Sequence, residues 1–311
     1  AEGDLPAGVA LLHEVRDLVP VRGRPLRDGL RGLGAVEVDH QVVTALQGLH
    51  HVLGLDQRER AHRAKGIERI APAAQRSGLR YTCISSKLTA GEVAYIVKDS
   101  GSRVFVSSPY LTEAAKAAAA ELEGVRLYMV DQATAPFESL EAARAPFPTT
   151  PIADETIGAP MLYSSGTTGR PKGVKRAVAP DAPREIDQPN ALAELGKALY
   201  GWNPDMVYLS PAPLCHAAPL GWSMAVQNVG GTVVMMERYS EELALKYIEQ
   251  YKVTHAQWVP THFVRMLKLP EETRAKYDIS SLQSVFHAAA PSAPSNCGER
   301  QSNSYIQVRP R

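Results

Sequence analysis

The stretch Tyr163-Ser164-Ser165-Gly166-Thr167-Thr168-Gly169-Arg170-Pro171-Lys172-Gly173 limits what this chain can fold into more than any other. It follows the apolar pair Met161-Leu162 and mixes Ser and Thr with Gly166, Gly169 and Gly173. Glycine lets a backbone turn through positive φ and bring its N–H groups close to a ligand. Successive N–H groups turned inward form a concave anion site, and Ser/Thr hydroxyls add donors. Lys172 supplies a mobile point charge suited to a polyphosphate. The residue types read as a phosphate clasp, with a polar surface turn as the alternative they leave open.

The common phosphate loop has another spacing: Gly, four residues, then Gly-Lys-Ser/Thr. Five residues after Gly166 stands Pro171, and five after Gly169 stands Val174, so neither register fits. Pro171 also restricts Arg170 to extended backbone, which argues against a helix opening directly from the loop.

Around this stretch, helix and strand signals alternate. Thr89-Ala90-Gly91-Glu92 is a capping box opening a helix that Gly101 closes. Arg103 to Ser107 and Val125 to Val130 read as strands, and Ser108-Pro109 starts a helix running to Gly124. Residues 131–158, with four prolines, read as a connector. Further on, helices are expected at 191–200, 222–228, 241–251 and 261–269, and strands at 206–210, 232–236, 254–259 and 284–287. Ser240 is the expected N-cap of the 241–251 helix. Such alternation with short turns means mainly parallel sheet covered by helices.

Residues 1–73 show no comparable order. Every aromatic residue (3 Trp, 12 Tyr, 5 Phe) lies at or beyond Tyr81, and arginine is plentiful where Lys65 is the only lysine. This segment is left unassigned, either disordered or a non-native extension. Residues 292–311, rich in Ser, Asn, Arg and Pro, are expected to be a disordered tail. A net charge of +1 recommends neither nucleic acid nor an anionic membrane as partner. Cys83, Cys215 and Cys297 lie far apart, which suggests neither a zinc site nor a disulfide framework. The longest largely apolar run, 224–236, is too short to span a bilayer, and no secretory leader is read, so a cytoplasmic protein is expected.

The eleven-residue string resembles the phosphate loop of the adenylate-forming superfamily: acyl-CoA synthetases, luciferases and the adenylation domains of peptide synthetases. With Lys175-Arg176 behind it, it looks most like the acyl-CoA synthetase (fatty-acid–CoA ligase) branch, over about Ala74 to Pro291. The resemblance implies an α/β fold: the large N-terminal domain of an adenylate-forming enzyme, incomplete, with the C-terminal domain absent and residues 74–291 as a partial AMP-binding domain. It implies ATP-dependent activation of a carboxylic acid, expected to be fatty, to an acyl-adenylate and then acyl-CoA. ATP, Mg²⁺ and CoA would be its cofactors and co-substrates, and a small carboxylic acid its partner.

By the same resemblance, Ser164, Ser165, Gly166, Thr167, Thr168, Gly169 and Lys172 hold the phosphates, and the Ser164 hydroxyl touches Mg²⁺. His216, in Pro211-Ala212-Pro213-Leu214-Cys215-His216, helps position the reacting carboxylate; it and Lys172 are the expected catalytic residues. Leu220 stands where long-chain members often carry an aromatic gate. The segment 254–263 resembles the acyl-pocket lining, with Trp258, Thr261 and His262 as substrate contacts and Phe263 as further wall, although core packing would use the same side chains. Gly230-Gly231 resembles the turn leading into the strand beneath that pocket. Ala288, Ala289, Ala290 and Pro291 resemble the small-residue segment on which adenine lies flat.

The family's later Tyr-Gly-x-Thr-Glu-type motif, ribose aspartate and C-terminal lysine find no match here. The chain as written is therefore expected to bind ATP poorly and turn over little. A non-catalytic nucleotide- or acyl-binding remnant, or a ligase for aromatic acids, are the alternatives.

Overall fold

The computed structural model describes residues 42–46 and 67–69 as backbone and 70–147, 156–164, 169–175, 188–236 and 238–287 with side chains. The chain divides into two compact units, residues 1–188 and 189–311.

The first unit holds a seven-stranded sheet. Its strands are β1 (Val42–Leu46), β2 (Arg80–Ile84), β3 (Ser102–Ser107), β4 (Arg126–Met129), β5 (Glu138–Ser139), β6 (Ala159–Ser164) and β7 (Lys172–Lys175), in the order β5-β4-β3-β1-β2-β6-β7. All neighbours are parallel except β6 and β7. Helices α1 (Ile67–Arg76), α2 (Ala90–Asp99) and α3 (Thr112–Ala119) make the crossovers that parallel strands require. Two of these elements, β1 and α1, begin before Ala74, in the segment that the sequence leaves unassigned.

Local chemistry explains α2. The Thr89 N–H donates to Glu92 Oε2 at 2.8 Å and the Glu92 N–H to Thr89 Oγ1 at 3.4 Å, the reciprocal box read from the sequence. Val93, Ile96 and Val97 bury its inner face against Ile84, Phe105 and Met129. The alanine-rich α3 presents Ala115, Ala118 and Ala119 to the same core. Two expectations change. Ser108-Pro109 leads into a short 3₁₀ turn, Pro109–Leu111, before α3, which ends at Ala119 rather than near Gly124. The supposed connector contains β5 and helix α4 (Leu140–Arg144), whose N-cap Ser139 accepts from the Ala142 N–H at 3.1 Å.

The second unit is a four-stranded parallel sheet in the order β11-β10-β8-β9, built from β8 (Val207–Ser210), β9 (Thr232–Met235), β10 (His255–Trp258) and β11 (Ser284–His287). Between them run α5 (Ala191–Tyr200), which precedes β8, α6 (Ala217–Val229), α7 (Glu241–Tyr251), α8 (Pro260–Leu267) and α9 (Glu271–Arg274). One face carries an aromatic core of Tyr200, Trp202, Tyr208, Trp222 and Phe286; Trp222 and Phe286 lie 4.6 Å apart between ring centres. The other face packs Leu209, Ala256, Trp258 and Val285 against α7 and α8. Tyr208 and Leu209, or Val285 and Phe286, therefore point to opposite faces, as strand alternation demands.

Helix α6 starts earlier than its apolar pattern suggests. Pro219 sits in its first turn, where an N–H would have no intrahelical acceptor, so the proline-rich stretch enters the helix without breaking it. Ser240 takes the N-cap position of α7, but its side chain makes no capping bond.

Candidate active site

The stretch expected to clasp phosphates joins two antiparallel strands in the first unit. Ser164 pairs with Lys172 and Tyr163 with Gly173, and the Ser164 hydroxyl donates to the Lys172 carbonyl at 3.5 Å. Pro171 thus precedes a strand, not a helix, as the sequence indicated. Gly169 has φ of +135°, a conformation open to glycine and few others. The Lys172 side chain is exposed and has no ion-pair partner among the described residues. Residues 165–168 and 288–291, expected to bind phosphates and adenine, lie outside the described residues.

A polar cluster fixes the hairpin to α2. The Tyr163 hydroxyl donates to Asp99 Oδ2 at 2.6 Å. Tyr95 Oη lies 3.4 Å from Asp99 Oδ1 and 3.3 Å from the Pro171 carbonyl, sharing one proton between them. The Arg170 guanidinium sits 5.2 Å above the Tyr95 ring, within cation–π range. Burial, then the Asp99 hydrogen bond and charge, push the Tyr163 phenol well above its ordinary value of 10, so it stays a donor. Gly173 leaves space for that ring: a Cβ there would come within 2.6 Å of Met161 Cε and 2.8 Å of Tyr163 Cζ. Asp99 and Tyr95 escaped the sequence reading. The signal was present, since an acid closing a helix opposes the helix dipole and needs a partner.

In the second unit, His216, Thr261, His262 and His287 all follow or end parallel strands, so they share the carboxyl edge where α/β sheets place ligands. His216 is the exposed N-cap of the thirteen-residue α6, whose first turn carries no acid. The unpaired N–H groups and dipole there favour a neighbouring anion such as a carboxylate. Thr261 is exposed in the first turn of α8.

Trp258 is 2% exposed and packs within the α7/α8 core, so its indole is a structural wall and not an open surface. His262 is also buried. Its ring stacks on Tyr239 at 4.0 Å and meets Trp258 edge-on at 5.8 Å. The Val259 N–H donates to His262 Nδ1 at 3.3 Å, and the His262 N–H to the Val259 carbonyl at 2.8 Å. Burial first, then the Arg265 charge, hold this imidazole down at about 4 against an ordinary 6.5. Arg265 pairs with Glu241 and lies 4.8 Å over the Tyr239 ring. His262 is thus a neutral structural group at physiological pH, tied into a stack that the sequence did not reveal.

Gly230 and Gly231 are not brought to this edge. They precede β9, at the amino ends of the strands. Gly230 terminates α6 in the left-handed conformation at φ +90°, and a Cβ on Gly231 would meet Met206 Cγ at 2.5 Å. Helix termination and close packing account for both.

For Mg²⁺, Ser164 offers one neutral hydroxyl already directed at a carbonyl. The described residues hold no cluster of three or more His, Cys, Asp or Glu suited to a metal. Mg²⁺ takes carboxylate and phosphate oxygens, so these residues do not by themselves fit it, and no step below runs through it.

Parallel sheets with helical crossovers, one of them ending in an antiparallel glycine-and-hydroxyl hairpin, define the N-terminal domain of adenylate-forming enzymes. Among solved structures with this fold, ATP-bound MatB from Rhodopseudomonas palustris superposes with a TM-score of 0.62 at 19% identity, over 93% of this chain and 50% of that one. A red-emitting luciferase from Phrixothrix hirtus gives 0.67 at 20% identity, over 93% and 50%. The chain belongs to the AMP-binding enzyme family, which matches residues 70–300. It is similar to acyl-CoA synthetase 7 of Caenorhabditis elegans, 30% identical over 71% of this chain and 42% of that protein. A feruloyl-CoA synthase of Amycolatopsis sp is also 30% identical, over 70% and 41%. The chain thus spans less than half the length of these relatives. No helix among the described residues is long and apolar enough to cross a membrane.

Proposed function

We infer that this chain carries the acid-activating part of an AMP-forming acid–CoA ligation. The observation that carries the reading is the β6–β7 hairpin, which holds Ser164 opposite an exposed Lys172, with Gly169 at positive φ. Membership of the AMP-binding family and likeness to an ATP-bound neighbour support it.

In the first step a carboxylate oxygen attacks the α-phosphorus of ATP, and the bond to pyrophosphate breaks, leaving an acyl-adenylate. In the second, the CoA thiol attacks the acyl carbon, AMP leaves, and the thiol proton passes to solvent. Both reactants of the first step are anions, so fixed donors and cations around the phosphates lower its barrier most. We assign that task to Ser164, Ser165, Gly166, Thr167, Thr168, Gly169 and Lys172. His216 and the amino end of α6 receive the acid's carboxylate, and adenine lies on Ala288, Ala289, Ala290 and Pro291. Thr261 contacts the substrate, with Trp258 and His262 forming the wall behind it. A fatty acid is the leading substrate class; the feruloyl-CoA synthase relative favours aromatic acids as the second.

Calorimetry with ATP and with a non-hydrolysable acyl-adenylate analogue tests this. The wild-type chain is expected to bind the analogue and Lys172→Ala to lose at least tenfold in affinity for ATP, with pyrophosphate release then measured across straight-chain and aryl acids. Failure of the wild-type chain to bind either ligand ends the reading. Binding without release supports a nucleotide- and acyl-binding role alone.

A further inference from the structure

His287 is an unusual histidine. It ends β11, is 6% exposed, and neither ring nitrogen has a hydrogen-bond partner among the described residues. Its register partner across β10 is Trp258, so both side chains stand on the α7/α8 face of the sheet, and the Phe263 ring meets it edge-on at 6.2 Å. A buried imidazole always carries at least one N–H, and its neutral form adds an acceptor. Leaving these unmet is costly enough that native structures nearly always supply a partner. The Phe263 ring against it offers none. The residue lies at the carboxyl edge where ligands enter such sheets.

We propose that His287 is a specificity residue for the acid substrate and forms a hydrogen bond with a hydroxyl on its non-reacting part. A hydroxyl serves either ring nitrogen, because it both donates and accepts. Phe263, which is only partly buried, suits the apolar or aromatic remainder of such an acid. The substrate class is therefore a hydroxyl-bearing carboxylic acid, which rests on the ligase reading above and narrows it. Sites built to pair a hydroxyl reject the analogue lacking it far more strongly than apolar pockets discriminate by size.

The test uses matched acids, 4-hydroxybenzoate with benzoate and 12-hydroxydodecanoate with dodecanoate, titrated calorimetrically into the full chain with ATP present. The wild-type protein is expected to favour at least one hydroxy acid by on the order of tenfold or more. His287→Phe is expected to erase that preference while still binding the plain acid, and to raise the melting temperature of the ligand-free protein by removing unmet polar groups. His287→Asn, which keeps a donor and an acceptor, is expected to retain part of the preference. Equal affinity for both members of each pair in the wild-type protein overturns the proposal, as does a preference unchanged in His287→Phe. Should the wild-type chain bind no acid at all, the ligase reading fails first and takes this inference with it.

Discussion

The β6–β7 hairpin and the carboxyl edge of the four-stranded sheet handle polar groups in opposite ways. At the hairpin the anchoring groups are partnered: Tyr163 and Tyr95 converge on Asp99, while Lys172 reaches into solvent. At the sheet edge His262 is buried within an aromatic stack, and His287 is buried with no hydrogen-bond partner among the described residues. A loop that grips phosphates needs a fixed base and free donors, because the ligand supplies the charge. A pocket for an acid is shaped by packing, so a few polar atoms held there can select among ligands.

The largest expected effect falls on the packed side. Trp258→Ala should cost about 3–5 kcal/mol, the usual penalty for emptying a buried tryptophan site, read as a lower denaturant midpoint. A loss below about 1 kcal/mol would show that the stack is looser than its geometry indicates.

Next comes pH. His262 titrates near 4 in the fold and near 6.5 when unfolded, so between those values the unfolded chain binds more protons. Its contribution is complete above about pH 6.5 and falls away as pH drops toward about 4, by up to ~3 kcal/mol. Urea melts at pH 7 and pH 4.5 should show that slope, and His262→Phe should flatten it. An unchanged slope in the variant would assign the acid sensitivity elsewhere.

A smaller effect is expected at the hairpin's base. Tyr163→Phe and Asp99→Asn should each cost about 1 kcal/mol, the charge-assisted bond being discounted because Asp99 is exposed. The double variant should cost little more than either single one, since both remove the same bond. Full additivity would mean that the two side chains do not act as a pair.

The smallest effect on folding should come from Lys172→Ala, within about 0.5 kcal/mol of wild type, because the side chain is exposed. Its cost should appear in nucleotide affinity alone. That split between stability and binding is the sharpest form of the contrast between the two regions.

The legible parts of the sequence were those in which local chemistry and tertiary packing agree. The Thr89/Glu92 box, the 191–200 and 241–251 helices and the 284–287 strand all carry caps or periodicity that the fold uses. β1 is a five-residue strand of a parallel sheet, and such strands often lack the alternation that marks a half-exposed one. α6 starts at Ala217 rather than at 222, since a helix's first turn tolerates a proline such as Pro219. For the candidate site, the β6–β7 hairpin was readable as a distinctive segment because glycine, hydroxyl and lysine fall within one continuous stretch. The Asp99 anchor, the Tyr239–His262 stack and the solitary His287 join residues far apart in sequence, which no local pattern encodes.

The direct pairing of Ser164 with Lys172 has a bearing on how this loop can vary. Strand side chains alternate sides, so a slip of this pairing by one residue would turn Lys172 over to the opposite surface. The ladder, through its register, thus decides which surface carries the ammonium.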